Sequence, residues 1–225
     1  MQINEIFSSI DGEGIRTGYL VTFIRTQFCI KPFCSYCDTK YSLYPYDENG
    51  NKQYKNMTVE EIIDKCVKLG NKRITITGGE PLIQLDIMDL INGLTSKGYE
   101  VNIETNGAID LLPFIQLLEN QHKIIFTMDW KCPYSNMRNK MIPHNLQLLD
   151  NKDVLKFVVG TQEDLEEMCN IVKYNKLDCN IFISPVFGKI EPKEIVEYIK
   201  LHNLQEVRVQ LQLHKLIWEP DKRGV

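Results

Sequence analysis

The chain has 225 residues, of which 43% are hydrophobic and 25% charged, with a formal net charge of -4. This length suits one domain spanning 1–225, and the composition excludes a disordered chain because enough apolar side chains are present to build a core. The acidic balance argues against a phosphate-backbone partner, and no stretch of about 18 apolar residues is present to cross a membrane.

The same balance favours a small-molecule partner, and the opening MQINEIFSSIDGEG lacks a basic segment followed by an apolar run, so a cytoplasmic protein is expected. Apolar runs of strand length follow at 19–25, 73–77, 100–105, 124–130, 154–159, 180–184 and 206–211, rich in Ile, Val, Phe and Thr as buried parallel strands are. Amphipathic segments alternate with most of them. The first, 58–69, opens with Thr58 and Glu61 in capping-box spacing and sets Val59, Ile62, Ile63, Cys66 and Leu69 on one stripe. Segments 82–97, 111–120, 162–174 and 192–202 read as further helices, and 132–149 as a long functional loop. The βαβα alternation predicts an α/β fold with a mostly parallel sheet of six to seven strands. That is too few for a closed eight-stranded barrel, so the expectation is an open, partial (β/α) barrel with functional loops at the carboxyl ends of its strands.

Three of the seven cysteines, Cys29, Cys34 and Cys37, crowd into nine positions directly after the 19–25 strand. Three thiolates can hold three irons of a 4Fe-4S cluster and leave the fourth iron open to an outside ligand. A structural zinc site, which wants four ligands, competes for the same short Cys pair, with Cys132 as a lone candidate for the fourth. Cys66 and Cys169 fall on helical stripes and read as core, as does Cys179. His122, His144 and His202 read as solvated or capping residues, and the run Glu163, Asp164, Glu166 and Glu167 as a charged helix start.

Thr77-Gly78-Gly79-Glu80-Pro81 closes the next strand, where paired glycines let backbone approach a ligand and Glu80 adds a carboxylate. Glu104-Thr105-Asn106-Gly107 closes the one after, with polar groups suited to a ribose or an amino-acid group. Taken together, the Cys cluster, Gly-Gly-Glu-Pro and Glu-Thr-Asn-Gly at three successive strand ends resemble the radical S-adenosylmethionine superfamily. In that superfamily the motif is C-x3-C-x-aromatic-C; here Tyr36 is the aromatic residue, and four residues separate Cys29 from Cys34.

A resemblance over nearly the whole chain points to the 7-carboxy-7-deazaguanine synthase family, in its clostridial-type form. It rests on the segment from Glu5 to Gly14, on Thr22-Phe23-Ile24-Arg25, Cys37-Asp38-Thr39 and Asp129-Trp130-Lys131-Cys132-Pro133, and on the ending Gln210-Leu211-Gln212-Leu213-His214-Lys215. The resemblance implies a radical carbon-nitrogen lyase that contracts the ring of 6-carboxy-5,6,7,8-tetrahydropterin to 7-carboxy-7-deazaguanine with loss of ammonia, in queuosine and 7-deazapurine biosynthesis. It implies a 4Fe-4S cluster, S-adenosylmethionine and Mg2+ as cofactors, flavodoxin or ferredoxin as electron donor, and a homodimer. In this reading the cofactor carries the difficult chemistry and the protein positions it.

Carried over position by position, the resemblance makes Cys29, Cys34 and Cys37 the cluster ligands and Thr39 a Mg2+ ligand. It sets Tyr36, Asp38, Gly78, Gly79, Glu80, Glu104, Asn106, Asp129, Trp130 and Lys131 around the cofactors. Ile10, Asp11, Gly12, Glu13, Arg25, Thr77, Gln212 and His214 become substrate contacts, Glu13 for the amino-pyrimidinone edge and Arg25 for the carboxylate. Relatives often carry Gln at the position of Asp11 and Ser-Pro-Lys at 129–131, and the shorter ones end about six residues beyond His214. Two alternatives stand beside this one. A glycyl-radical activating enzyme would use the same cluster on a protein, and a zinc-stabilised or electron-transfer module would not cleave S-adenosylmethionine.

Overall fold

A computed structural model describes residues 1–219 and 222–225, so Pro220 and Asp221 of the C-terminal tail lie outside the described residues. Among the described residues nine strands form one open sheet: β1 (Gln2–Ile10), β2 (Leu20–Thr26), β3 (Lys55–Asn56), β4 (Arg73–Gly78), β5 (Glu100–Thr105), β6 (Ile124–Trp130), β7 (Val154–Val159), β8 (Asn180–Pro185) and β9 (Val207–Val209), in the order β3-β1-β2-β4-β5-β6-β7-β8-β9. From β2 to β9 all neighbours run parallel, whereas β1 pairs antiparallel with both β2 and β3. The seven parallel strands are the seven apolar runs of the sequence, and the sheet exceeds the expected six to seven by β1 and β3. β1 reads QINEIFSSI and is mostly half-buried, so it lacks the continuous apolar run of the central strands; β3 spans two exposed residues.

Among the described residues six helices, α1 (Val59–Leu69), α2 (Ile87–Ser96), α3 (Leu112–Leu117), α4 (Gln162–Tyr174), α5 (Pro192–His202) and α6 (Leu213–Ile217), complete the regular structure with short 3-10 turns. The Thr58–Glu61 capping box forms as its spacing requires, Thr58 Oγ1 accepting from the Glu61 N–H while the Glu61 carboxylate accepts from the Thr58 N–H. Of the predicted stripe, Ile62, Ile63 and Cys66 are buried, whereas Leu69 is exposed in the last turn. The expected 82–97 helix is interrupted: Pro81–Ile83 forms a 3-10 turn capped by Glu80, Leu85 is solvent-exposed, and the helix starts only at Ile87.

Strand alternation sorts the sheet into two surfaces. Ile24, Ile74, Ile76, Ile103, Phe126, Met128, Leu155, Phe157 and Ile183 pack into the hydrophobic core, where α1, α2, α4 and α5 lie on β1, β5, β7 and β8. Each fully buried Ile or Leu there contributes about 1.5–3 kcal/mol of transfer free energy. Residues of the opposite parity, among them Arg25, Thr77, Glu104, Asp129 and Lys156, face the cavity of the half-barrel. The 132–149 segment is no free loop. It makes three 3-10 turns and buries Cys132, Met137, Met141, Leu146 and Leu149, because its apolar residues recur at intervals that return them to the core.

Candidate active site

The loop after β2 carries the three cysteines and is fixed at both sides. The Phe28 N–H donates to the Ser42 carbonyl at 2.7 Å and the Ser35 N–H to the Ser135 carbonyl at 3.0 Å, while Tyr36 stacks on Tyr134. Cys29, Cys34 and Cys37 are all free, partly exposed and turned to one cavity. Burial, reinforced by the Glu80 carboxylate, pushes the Cys29 thiol up to about 11, and burial also raises Cys34. Thiolates there need added positive charge, which iron supplies, so the donor set suits a cluster. Among the described residues no three His, Cys, Asp or Glu side chains converge on a single-ion geometry.

The glycines after β4 answer a steric demand. A Cβ on Gly79 would collide with the Phe28 carbonyl, and one on Gly78 with the Thr26 backbone, because this turn lies directly against the cysteine loop. The Gly79 N–H donates to the Thr26 carbonyl and the Glu80 N–H to the Phe28 carbonyl. Glu80 itself is fully buried and does not reach the cavity. Its carboxylate accepts from the Leu82 N–H at 3.1 Å, the Thr105 hydroxyl at 2.9 Å and the Asn106 N–H at 2.7 Å, joining the loops after β4 and β5. Asn106 in turn extends its side-chain amide to the Cys29 sulfur at 3.5 Å.

Across the cavity, Asp129 Oδ2 accepts from Lys131 Nζ at 2.6 Å, and Lys131 lies 5.7 Å from the Tyr36 ring. Burial opposes the Asp129 charge, but Lys131 and Lys156 outweigh it and hold the carboxyl below its ordinary range. Burial raises the Glu104 carboxyl, partly offset by Lys156.

At the other end, Glu13 Oε1 accepts from the Ser184 hydroxyl at 3.0 Å, and its Oε2 accepts from Lys156 Nζ at 3.2 Å and Gln212 Nε2 at 3.3 Å. Arg25 Nε donates to Glu5 Oε1 at 2.8 Å, and Tyr41 donates to the same oxygen at 3.1 Å. His214 packs over Gly12, where a Cβ would stand 2.9 Å from Nδ1. Lys215 pairs with Asp38 at 2.9 Å, and Thr39 Oγ1 lies 3.6 Å from the Cys37 sulfur. Lys222, Gly224 and Val225 bring the C-terminal tail onto the cavity rim, and Arg223 lies over the Tyr41 ring at 3.8 Å.

Most residues singled out by sequence therefore share one cavity: Ile10, Gly12, Glu13, Arg25, the three cysteines, Tyr36, Asp38, Thr39, Thr77, Gly78, Gly79, Glu104, Asn106, Asp129, Lys131, Gln212 and His214. Three do not reach it. Asp11 is buried in an ion pair with Arg16 Nε at 2.8 Å and accepts from Thr75 Oγ1, two residues below Thr77 on β4, so its carboxylate plugs the amino end of the half-barrel. Trp130 has the core parity of β6 and donates its indole N–H to Glu167 of α4 at 3.2 Å. Glu80 braces the loops as described. Lys156, Ser184, Glu5 and Tyr41 escaped the sequence reading, although Lys156 is the one charged residue in Val154–Val159. A separate open groove beside Met1, Thr58, Glu61, Asp86 and Asp89 contains none of the motif residues.

Comparison with known proteins gives the family and the fold. The Radical SAM superfamily model matches residues 23–202. The chain is 42% identical over 227 residues to the 7-carboxy-7-deazaguanine synthase of Clostridium acetobutylicum, covering 100% of this chain and 99% of the relative, and 38% identical to that of Methanospirillum hungatei, covering 98% and 86%. Its fold matches the crystal structure of QueE from Escherichia coli with a TM-score of 0.71 at 24% identity, covering 94% of this chain and 93% of that one. With cysteine loop, glycine turn and Glu13 pocket on one cavity, and with full-length identity of this order, the chain belongs to the 7-carboxy-7-deazaguanine synthase family of the radical SAM superfamily.

Proposed function

We propose that this chain, acting as one domain over 1–225, is a radical S-adenosylmethionine carbon-nitrogen lyase that converts 6-carboxy-5,6,7,8-tetrahydropterin to 7-carboxy-7-deazaguanine with loss of ammonia. The observation that carries this reading is that the three thiols and the Glu13, Arg25 and His214 side chains line opposite parts of a single cavity. When bound, the cluster supplies the electron that cleaves S-adenosylmethionine and so starts hydrogen abstraction from the pterin.

The chain's own residues bind, orient and exclude water. Cys29, Cys34 and Cys37 hold the cluster. Asn106, Asp129 and Lys131 line the same cavity and take the polar groups of S-adenosylmethionine, with the glycine backbone at 78–79 bordering it without a side chain in the way. Glu13 accepts from the amino-pyrimidinone N–H groups, donors whose spacing matches the two oxygens of a carboxylate. Arg25, whose Nε is held by Glu5, keeps its two terminal nitrogens for the substrate carboxylate. Holding both ends of the pterin fixes the reacting carbon relative to the cofactor, which is how positioning lowers the barrier.

Thr39, beside Asp38, offers an oxygen donor suited to a Mg2+ that keeps most of its waters. The reading further includes a small-protein electron donor such as flavodoxin or ferredoxin, a homodimer and a cytoplasmic location. The last is supported by the finding that, among the described residues, no helix is long and apolar enough to cross a membrane. The test is anaerobic incubation with reductant, S-adenosylmethionine, Mg2+ and carboxytetrahydropterin, followed by mass analysis. Carboxydeazaguanine is expected; cofactor cleavage without it would remove this substrate and leave the superfamily chemistry.

A further inference from the structure

Lys156 is the lone charged side chain of β7, whose neighbours Leu155 and Phe157 are fully buried on the other face of the sheet. Its ammonium sits between two carboxylates that belong to different parts of the cavity, Glu13 Oε2 at 3.2 Å and Asp129 Oδ1 at 3.1 Å. The two contacts are unequal. The one to Glu13 is a well-directed hydrogen bond, whereas the one to Asp129 Oδ1 is close but poorly directed and leaves that oxygen, among the described residues, as the one buried side-chain oxygen or nitrogen without a well-directed donor.

Asp129 Oδ2 is already taken by Lys131, which leads on to Tyr36 and the cysteine loop. Glu13, Lys156, Asp129 and Lys131 thus form one unbroken chain of alternating charge from the Glu13 end of the cavity to the cysteine end. Resting on the substrate reading above, we propose that Lys156 is a positioning residue that couples the two ligands: its ammonium is shared between the carboxylate that takes the pterin and the carboxylate beside S-adenosylmethionine, so filling one end sets the geometry of the other.

The physical route is short. Pterin N–H groups arriving at Glu13 compete with Lys156 for Oε2, and the displaced ammonium can reorient onto Asp129 Oδ1, already 3.1 Å away, to make a well-directed bond. A second donor on Asp129 fixes its carboxylate plane and, through it, the Lys131 ammonium. A lysine present only to neutralise buried acids would affect each ligand separately. A shared lysine makes each ligand tighten the other by the same factor, since coupling between sites is reciprocal.

The experiment is equilibrium dialysis on the anaerobic, cluster-loaded enzyme with the cluster left oxidised, so that no turnover occurs. S-adenosylmethionine binding is measured with and without carboxytetrahydropterin, and the reverse. In the wild type each ligand should tighten the other about 5-fold or more, within the usual range of coupling. Lys156→Met should bind both ligands independently, Asp129→Asn should likewise lose the coupling, and Lys156→Arg should retain most of it. Undiminished coupling in Lys156→Met overturns the proposal, as does independent binding in the wild type, a measurement that holds even if Lys156→Met fails to load the cluster. A wild type that does not bind the pterin at all removes the substrate reading itself, whereas one that makes carboxydeazaguanine without coupled binding removes only the role of Lys156.

Discussion

The Asn106 backbone N–H donates to Glu80 Oε2 at 2.7 Å, so the carboxylate of one strand-end motif caps the turn of the next. Because the Asn106 amide reaches Cys29 and the Glu80 N–H is held by Phe28, this one buried carboxylate sets three loops around the cysteines.

Glu80→Gln should therefore cost about 1–3 kcal/mol, since an amide NH2 sets two hydrogens against the donors that converge here where the neutral acid carries only one. Burial pushes the Glu80 carboxyl up to about 7 against three hydrogen bonds that favour its charge. With the folded value above the ordinary 4.5, its protonated form stabilises the fold fully below about 4.5, and that contribution is lost as pH rises through about 7. Urea unfolding of wild type and Glu80→Gln across pH 4–8 should show the gap between them narrowing as pH rises. A gap that widens would mean the carboxylate is ionised throughout.

Gly79→Ala should deplete the protein of iron although all three cysteines remain. The added Cβ meets the Phe28 carbonyl, and that backbone leads straight into Cys29, so the cysteine loop has to move. Gly98→Ala is the matched control: Gly98 is at φ +94 with open space around its Cβ position, so it carries only turn strain of about 1 kcal/mol. Iron content and iron-sulfur absorbance after anaerobic purification should fall for the first and hold for the second. Equal iron in both would show that the glycine turn does not dictate the loop.

The seven parallel strands were legible in the sequence because their core faces are continuous Ile, Val, Leu and Phe, and the α1 cap because its two partners are three residues apart. The shared placement of contiguous motifs on one cavity was legible for the same reason, since Cys37-Asp38-Thr39 or Gly78-Gly79 need only one loop. Lys156 and Ser184 belong to no motif, and only sheet curvature carries them, across more than 140 residues, to Glu13. Asp11 and Trp130 depart from the sequence expectation for different reasons. Asp11 stays on the inner side of the sheet but lies below the cavity, where Arg16 and Thr75 take its carboxylate, whereas Trp130 adjoins the cavity residue Asp129 on an extended strand, so its side chain points the other way, to Glu167.

That parity makes a sharp prediction for neighbours on the chain. Trp130→Phe loses the indole hydrogen bond to Glu167, part of a packed ring and the cation contact with Arg138, and should cost about 1–3 kcal/mol of stability with S-adenosylmethionine affinity unchanged. Lys131→Met, one residue on, should weaken that affinity because it strips Asp129 of its 2.6 Å partner. Thermal unfolding and equilibrium dialysis of the two variants separate the effects. A loss of cofactor affinity in Trp130→Phe would put the indole back into the site.

His214 ties the pH response to the closing turn of the chain. Burial holds its imidazole below the ordinary 6.5, with Lys215 and Lys156 adding to that and Glu13 and Asp38 opposing it. A depressed folded value means that the stability contributed by neutral His214 is present above 6.5 and is lost as pH falls through the folded value. The affected structure is local, because His214 sits on Gly12 and the Leu213 N–H donates to the Gly12 carbonyl at 3.3 Å. Protonation forces a half-buried cation against that contact, so α6 should loosen from the Gly12 turn in mild acid and take Gln212 away from Glu13. An NMR titration should give His214 a midpoint below 6.5, with amide exchange in 212–217 rising over the same range, and His214→Gln should remove the pH dependence of that exchange. A midpoint above 6.5 would show that Glu13 and Asp38 outweigh burial, and the acid-induced loosening would then be absent.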